Sequence, residues 1–129
     1  MRIHSISLAA ALALAGCATT GPGHEVAPPS ILGDWSLDGP APQPTVTFAK
    51  DGAVSGRVAC NTFFGGYTQD GEVVRLRHLN MTLVGCAGQA AVENHARPLL
   101  GARSARIIAG DARHIRLSAG GREYRLTAR

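Results

Sequence analysis

From Ile31 to the C-terminus the apolar residues fall mostly at every second position of short runs, the period of strands with one buried face. GDWSL sets Trp35 and Leu37 two apart. TVTFAKDGAVSGRV predicts a hairpin turning at Asp51-Gly52, with Val46 and Phe48 on one face and Val54 and Val58 across from them. GGYTQDGEVVRLRHL predicts a second hairpin with Asp70-Gly71 as its turn. Val74, Leu76 and His78 then point one way, and Val73, Arg75 and Arg77 the other. ARIIAGDARHIRLSAGGREYRLTA predicts three more strands joined at Gly110-Asp111 and Gly120-Gly121, with Ile115, Leu117, Tyr124 and Leu126 marking the buried faces.

One segment breaks the period of two. GQAAVENHARPLLGA, 88–102, spaces Ala91, Val92, His95 and Leu99 as an amphipathic helix of about ten residues would, with Gly101 as a stop. Pro98 lacks a backbone donor and crowds the preceding turn, so the helix is expected to kink or restart there. The expected fold class is α+β: a small antiparallel sheet or partial barrel of about seven strands, with the one helix packed against it.

The N-terminus sets the compartment. MRIHSISLAAALALAGC carries one charge at Arg2, an apolar stretch from Ile6 to Ala15, and small residues leading to Cys17, which is the layout of a secretory signal. The stretch is too short to cross about 30 Å of hydrocarbon. Leu14-Ala15-Gly16-Cys17 also matches the bacterial lipobox, whose processing acylates the cysteine sulfur and cleaves before it. An ordinary cleaved signal with an incidental cysteine is the alternative. Cys17 is expected to be the lipidated first residue. Ala18, in place of aspartate, implies sorting to the outer membrane, with the domain on the periplasmic face. The chain thus divides into a signal peptide 1–16, a lipidated tether 17–30 rich in proline, glycine and small residues, and a domain 31–129 with room for one core.

Charge narrows the partners. The formal excess of +4 falls to about +3 without Arg2, and residues 97–129 hold eight arginines against Asp111 and Glu123. We read this as the solvated outer face of a sheet, since exposed charges are screened beyond about 8 Å at physiological salt. Attraction to lipid headgroups, lipopolysaccharide or an acidic protein is the alternative. No basic run interleaved with stacking aromatics suggests nucleic acid.

VACNTFFGGY, 58–67, holds the candidate chemistry. Once Cys17 is set aside, Cys60 and Cys86 form the remaining pair in an exported chain, and a disulfide is the expected state. Free buried thiols are the alternative; two isolated cysteines make a poor metal site. Asn61 suits a left-handed turn, Phe63 and Phe64 suit core volume, and Gly65-Gly66 permits a bulge before Tyr67. His78, His95 and His114 sit on separate elements, with no carboxylate pair or nucleophile elbow nearby. No catalytic residue, cofactor or metal is expected.

GDWSL, VTFAKDGAVSGRVACNTFFGGY, and LNMTLVGCAG with the helix and HIRLSAGGREYRLT after it together resemble the META domain of HslJ-like bacterial lipoproteins. Asn61, Phe63, Gly65 and Tyr67 occupy the positions of that family's Gly-Cys-Asn-x-Phe-x-Gly-x-Tyr motif, with Ala59 where glycine is usual. Val84-Gly85-Cys86 stands where the family has Met-Ala-Cys, and the helix has Val92-Glu93 and His95 where the family tends to carry Met-Glu and a second glutamate. The resemblance implies a small α/β or mainly β domain tied to envelope stress and antibiotic tolerance, with no established enzymatic reaction. The expected function is therefore a monomeric, non-catalytic envelope module, held to the membrane by its lipid and meeting an envelope protein partner. A periplasmic inhibitor of a protease, or less readily of lysozyme, is the alternative.

Overall fold

The computed structural model describes Gly16 and residues 27–129. Cys17, nearly all of the signal segment and residues 18–26 of the tether lie outside the described residues. Eight strands follow in chain order: β1 (Gly33–Leu37), β2 (Thr45–Phe48), β3 (Ala53–Val58), β4 (Asn61–Asp70), β5 (Val73–Met81), β6 (Ser104–Gly110), β7 (His114–Ala119) and β8 (Arg122–Ala128), with α1 (Ala90–Gly101) between β5 and β6. Each strand is antiparallel to the next, and β1 pairs with β8 through Trp35↔Ala128 and Leu37↔Leu126. The sheet is thus a closed barrel of eight strands, where the sequence predicts a partial one of about seven. Closure rests on residues some ninety positions apart, and no local period reports it.

Alternation fills the interior. Trp35, Leu37, Phe48, Val54, Val58, Phe63, Val74, Ile107, Ile115, Leu117, Tyr124 and Leu126 are all buried in one cluster. The buried apolar residues of the described chain run from Ile31 to Leu126 and form one core. The chain joins the barrel ahead of β1: the Ile31 N–H donates to Gln69 Oε1 at 2.8 Å, and Gln69 Nε2 donates to the Pro29 carbonyl at 3.0 Å.

The second hairpin departs from simple alternation. Its turn is Gly71-Glu72, and Phe64↔Asn80 gives way to Gly66↔Arg77, leaving His78 and Leu79 opposite the single residue Gly65. The extra residue is on β5, not at Gly65-Gly66. His78 takes φ +50° and is exposed, which turns Leu79 and Met81 inward in its place. Gly65 is required for close approach, since a Cβ there would lie 2.8 Å from the Arg77 carbonyl oxygen. Glycine adopts the left-handed region freely, and the exposed imidazole packs on little, so His78→Gly is expected to stabilise the domain by about 0.5–1 kcal/mol. His78→Val is expected to destabilise it by more than about 1 kcal/mol, and denaturant midpoints check both.

The helix runs through Pro98 to Gly101 without a break, so Pro98 costs it the one backbone bond that an N–H at this position would give the Asn94 carbonyl but does not stop it. Its buried residues are Val92 and Ala96, while Ala91 faces solvent. Ala96, Leu99 and Leu100 share the walls of an apolar cavity of about 50 Å³ with Phe48, Val54, Phe63 and Leu126, so α1 closes one end of the barrel. His95 Nε2 lies 2.8 Å from the Asp38 carbonyl oxygen, and its ring is tilted against Tyr124 at 5.6 Å. Among the described residues no helix is long and apolar enough to span a membrane.

Candidate functional site

The closed end of the barrel is built from the two cysteine-bearing segments. β3 and β4 meet at a two-residue turn, Ala59-Cys60, flanked by the pair Val58↔Asn61. The left-handed residue of this turn is Ala59, at φ +55°, and not Asn61. Cys60 is bonded to Cys86 with their Cα atoms 5.6 Å apart, inside the range a disulfide spans. The bond joins the β3–β4 turn to the loop entering α1.

Asn61 is the one buried polar residue among those described, at 4% exposure. Its amide pairs with the Val84 peptide as a strand neighbour would: the Val84 N–H donates to Oδ1 at 2.7 Å, and Nδ2 donates to the Val84 carbonyl at 3.0 Å. Thr82 Oγ1 donates to the same Oδ1 at 3.0 Å, and Nδ2 also reaches Glu93 Oε1 and Cys86 Sγ, each at 3.3 Å. One side chain therefore holds three partners: the loop backbone, the disulfide and the helix. Such a network satisfies every polar atom of a buried amide, which is the condition under which burial stabilises.

The other motif residues are structural. Phe63 is buried beneath Gly56, where a Cβ would overlap the Phe63 ring and the Thr45 carbonyl oxygen. Tyr67 donates its hydroxyl to the Ala49 carbonyl at 2.9 Å and meets the Phe48 ring edge-on at 4.9 Å. Burial, and then the nearby Asp51 charge, push its phenol above the ordinary value, so it stays a donor. Phe64, expected in the core, is 63% exposed because it stands on the outward parity of β4.

That exposure has company. Leu83 is 90% exposed and Val84 59%, both on the loop that Asn61 and the disulfide fix in place. Beside them a groove of about 600 Å³ runs between the end of β5 and α1. Val58, Leu79, Met81 and Leu100 supply its apolar walls, and Glu93 and Arg97, one helical turn apart, supply its charge. This combination of mostly apolar lining and few polar groups suits a ligand or an inserted side chain.

The histidines are dispersed. His78 is at the β5 bulge, His95 is engaged against Asp38, and His114 lies 3.7 Å from Asp111 at the β6–β7 turn. The Arg113 and His114 backbone N–H groups hold the Asp111 carboxyl below its ordinary value. No three His, Cys, Asp or Glu side chains among the described residues converge as metal ligands would. Sequence reasoning found Cys60, Cys86 and the motif, but missed Gly56, Thr82 and Glu93 as parts of the same assembly. No spacing in the sequence signals them, because each meets Asn61 or Phe63 only across the fold.

A family model described as META domain matches residues 25–129. Two solved structures have the same fold. One, described as an NMR structure, aligns with TM-score 0.61 and 16% identity over 74% of this chain and 87% of its own. The other, an NMR structure of a protein from Burkholderia xenovorans, aligns with TM-score 0.56 and 17% identity over 75% of this chain and 81% of its own. No curated protein matches the chain.

Proposed function

The chain belongs to the META domain family, and on that premise we propose that it is a non-catalytic interaction module of the bacterial envelope, anchored to the outer membrane through Cys17 and meeting a protein partner with its disulfide-latched face. The observation that carries this reading is the fixed, exposed pair Leu83 and Val84 beside the groove. Apolar side chains left in water on a loop held by a disulfide and four contacts with the Asn61 amide contribute little to folding. They are preorganised for burial against something else, which lowers the ordering cost of association.

The same geometry favours one second reading, a protease inhibitor. A rigid loop presenting Leu83 ahead of Val84-Gly85 is shaped to enter an active-site cleft. Lysozyme, a basic protein, is electrostatically ill matched to this basic domain.

The test is capture from envelope extract by immobilised domain, native or Leu83→Asp/Val84→Ser. The native domain is expected to retain a partner that the variant loses by tenfold or more, while the two melt within about 2 °C of each other, as exposed sites allow. A protease among the captured proteins, inhibited stoichiometrically, selects the second reading. Equal capture by both domains contradicts the assignment of this face. Anchorage is tested separately: Cys17→Ser is expected to move the protein from the membrane to the soluble fraction.

A further inference from the structure

We propose that the outward surface of β5–β8 is a docking face for an anionic membrane, laid against the headgroups beside which the chain emerges. Alternation places Arg75, Arg106, Arg116 and Arg125 outward on four successive strands, opposite the buried set Val74, Ile107, Leu117 and Leu126. Arg116 and Arg125 stand directly across the β7–β8 ladder from each other. Like charges so placed oppose folding, and Glu123, bonded to Arg116 at 3.0 Å, offsets only one of the two.

Internal neutralisation is partial. Among the described residues Glu72 pairs with Arg106, and Glu123 pairs with Arg116 at 3.0 Å. Arg75 and Arg125 make no ion pair there, nor do Arg103, Arg122 and Arg129 at the strand ends. The opposite half of the barrel has the other sign. Residues 33–70 carry four acidic side chains against Lys50 and Arg57, whereas residues 72–129 carry ten arginines against four acids. A molecule divided in this way turns one side toward a negative surface.

The chain's entry point identifies that surface as a membrane. Ala27, Pro28 and Pro29 line a groove with Glu72, Ile107, Ile108 and Ala109, which sets the domain's end of the tether at the edge of the arginine face; Ala27 and Pro28 also line one with Lys50 and Gln69. Ten residues, even fully extended, reach at most about 35 Å. A domain held that close needs only weak attraction to adopt an orientation, because tethering supplies the local concentration. Ile108, 40% exposed on the same strand, offers an apolar contact at headgroup level. The inference rests on the proposed anchorage only for proximity; the charge and its placement stand without it.

The test uses residues 25–129, the span that the family model matches and that contains the whole described core, without an acyl group, so its outcome is independent of Cys17. Sedimentation with phosphatidylcholine vesicles containing phosphatidylglycerol, at low ionic strength, is compared for the native domain, Arg75→Gln/Arg125→Gln, and Lys50→Gln/Arg57→Gln. The two double variants lose the same formal charge from different surfaces. At about fivefold per arginine near an anionic surface, discounted for partial screening, the first variant is expected to bind about tenfold more weakly and the second less than about twofold. Native binding to phosphatidylcholine alone is expected to be absent. Equal loss in the two variants, or native binding to both kinds of vesicle, overturns the proposal.

Discussion

Replacing both cysteines, Cys60→Ser/Cys86→Ser, is expected to lower the melting temperature by about 10–20 °C. The bond closes a loop of 27 residues counting both ends, and the chain-entropy account values such a closure at about 3–4 kcal/mol. The closure acts on a segment ordered by hydrogen bonds rather than by apolar burial. Leu83 and Val84 are exposed, and the loop's other attachments are hydrogen bonds to the Cys60 backbone N–H, Asn61 and Thr62. Reduction of the native domain is expected to reproduce the variant. Calorimetry in the presence and absence of reductant checks this, and a melting temperature unchanged by reduction would show that the loop is held without the bond.

Asn61→Ala is expected to cost about 3 kcal/mol, measured as a shift in denaturant midpoint. Truncation removes the acceptor of the Val84 N–H and Thr82 hydroxyl, and the donor to the Val84 carbonyl and Glu93. It also opens a small void at a buried site. Asn61→Asp separates the polar contribution from the packing one. It keeps the volume but sets a carboxylate where Nδ2 now lies 3.3 Å from Glu93 Oε1. Burial beside a second carboxylate disfavours the charged form and raises the folded-state pKa of the introduced group. The sign follows: the variant approaches native stability near pH 4, and its deficit grows as pH rises past the unfolded value of about 3.9 toward neutrality. A deficit independent of pH would mean that the amide's hydrogen bonds are not what holds the loop.

Most strands were legible in the sequence because each has one buried face, and a period of two survives in residues such as Val46 and Phe48 or Ile115 and Leu117. Closure of the barrel was not, since β1–β8 pairing is set by the accumulated twist and tilt of all the strands. The bulge at His78 was hidden for a related reason. A single inserted residue flips every side chain beyond it, and nothing in RLRHLNM marks where the insertion falls until Gly65 is seen opposite. Phe64 misled because hydrophobicity predicts burial in one direction only.

The site divides in the same way. Compartment and parity of cysteines pointed to the Cys60–Cys86 bond, and the motif marked Asn61. The left-handed conformation belongs instead to Ala59, a residue whose type does not announce it, so it appears only once φ is known. Glu93 joined the assembly across 32 positions through one hydrogen bond, and no spacing rule anticipates that. The groove is a product of closure: Met81, Leu83, Arg97 and Leu100 meet because α1 covers the barrel end.

The most direct test of this face as an interaction surface is photocrosslinking in intact cells from an unnatural side chain at position 83, with a probe at position 50 as the control, each analysed by mass spectrometry. A discrete envelope-protein adduct from position 83, absent from position 50 and lost when Cys60 and Cys86 are both replaced by serine, is the predicted result. The same adducts from both positions, or a position-83 adduct indifferent to the disulfide, would contradict it.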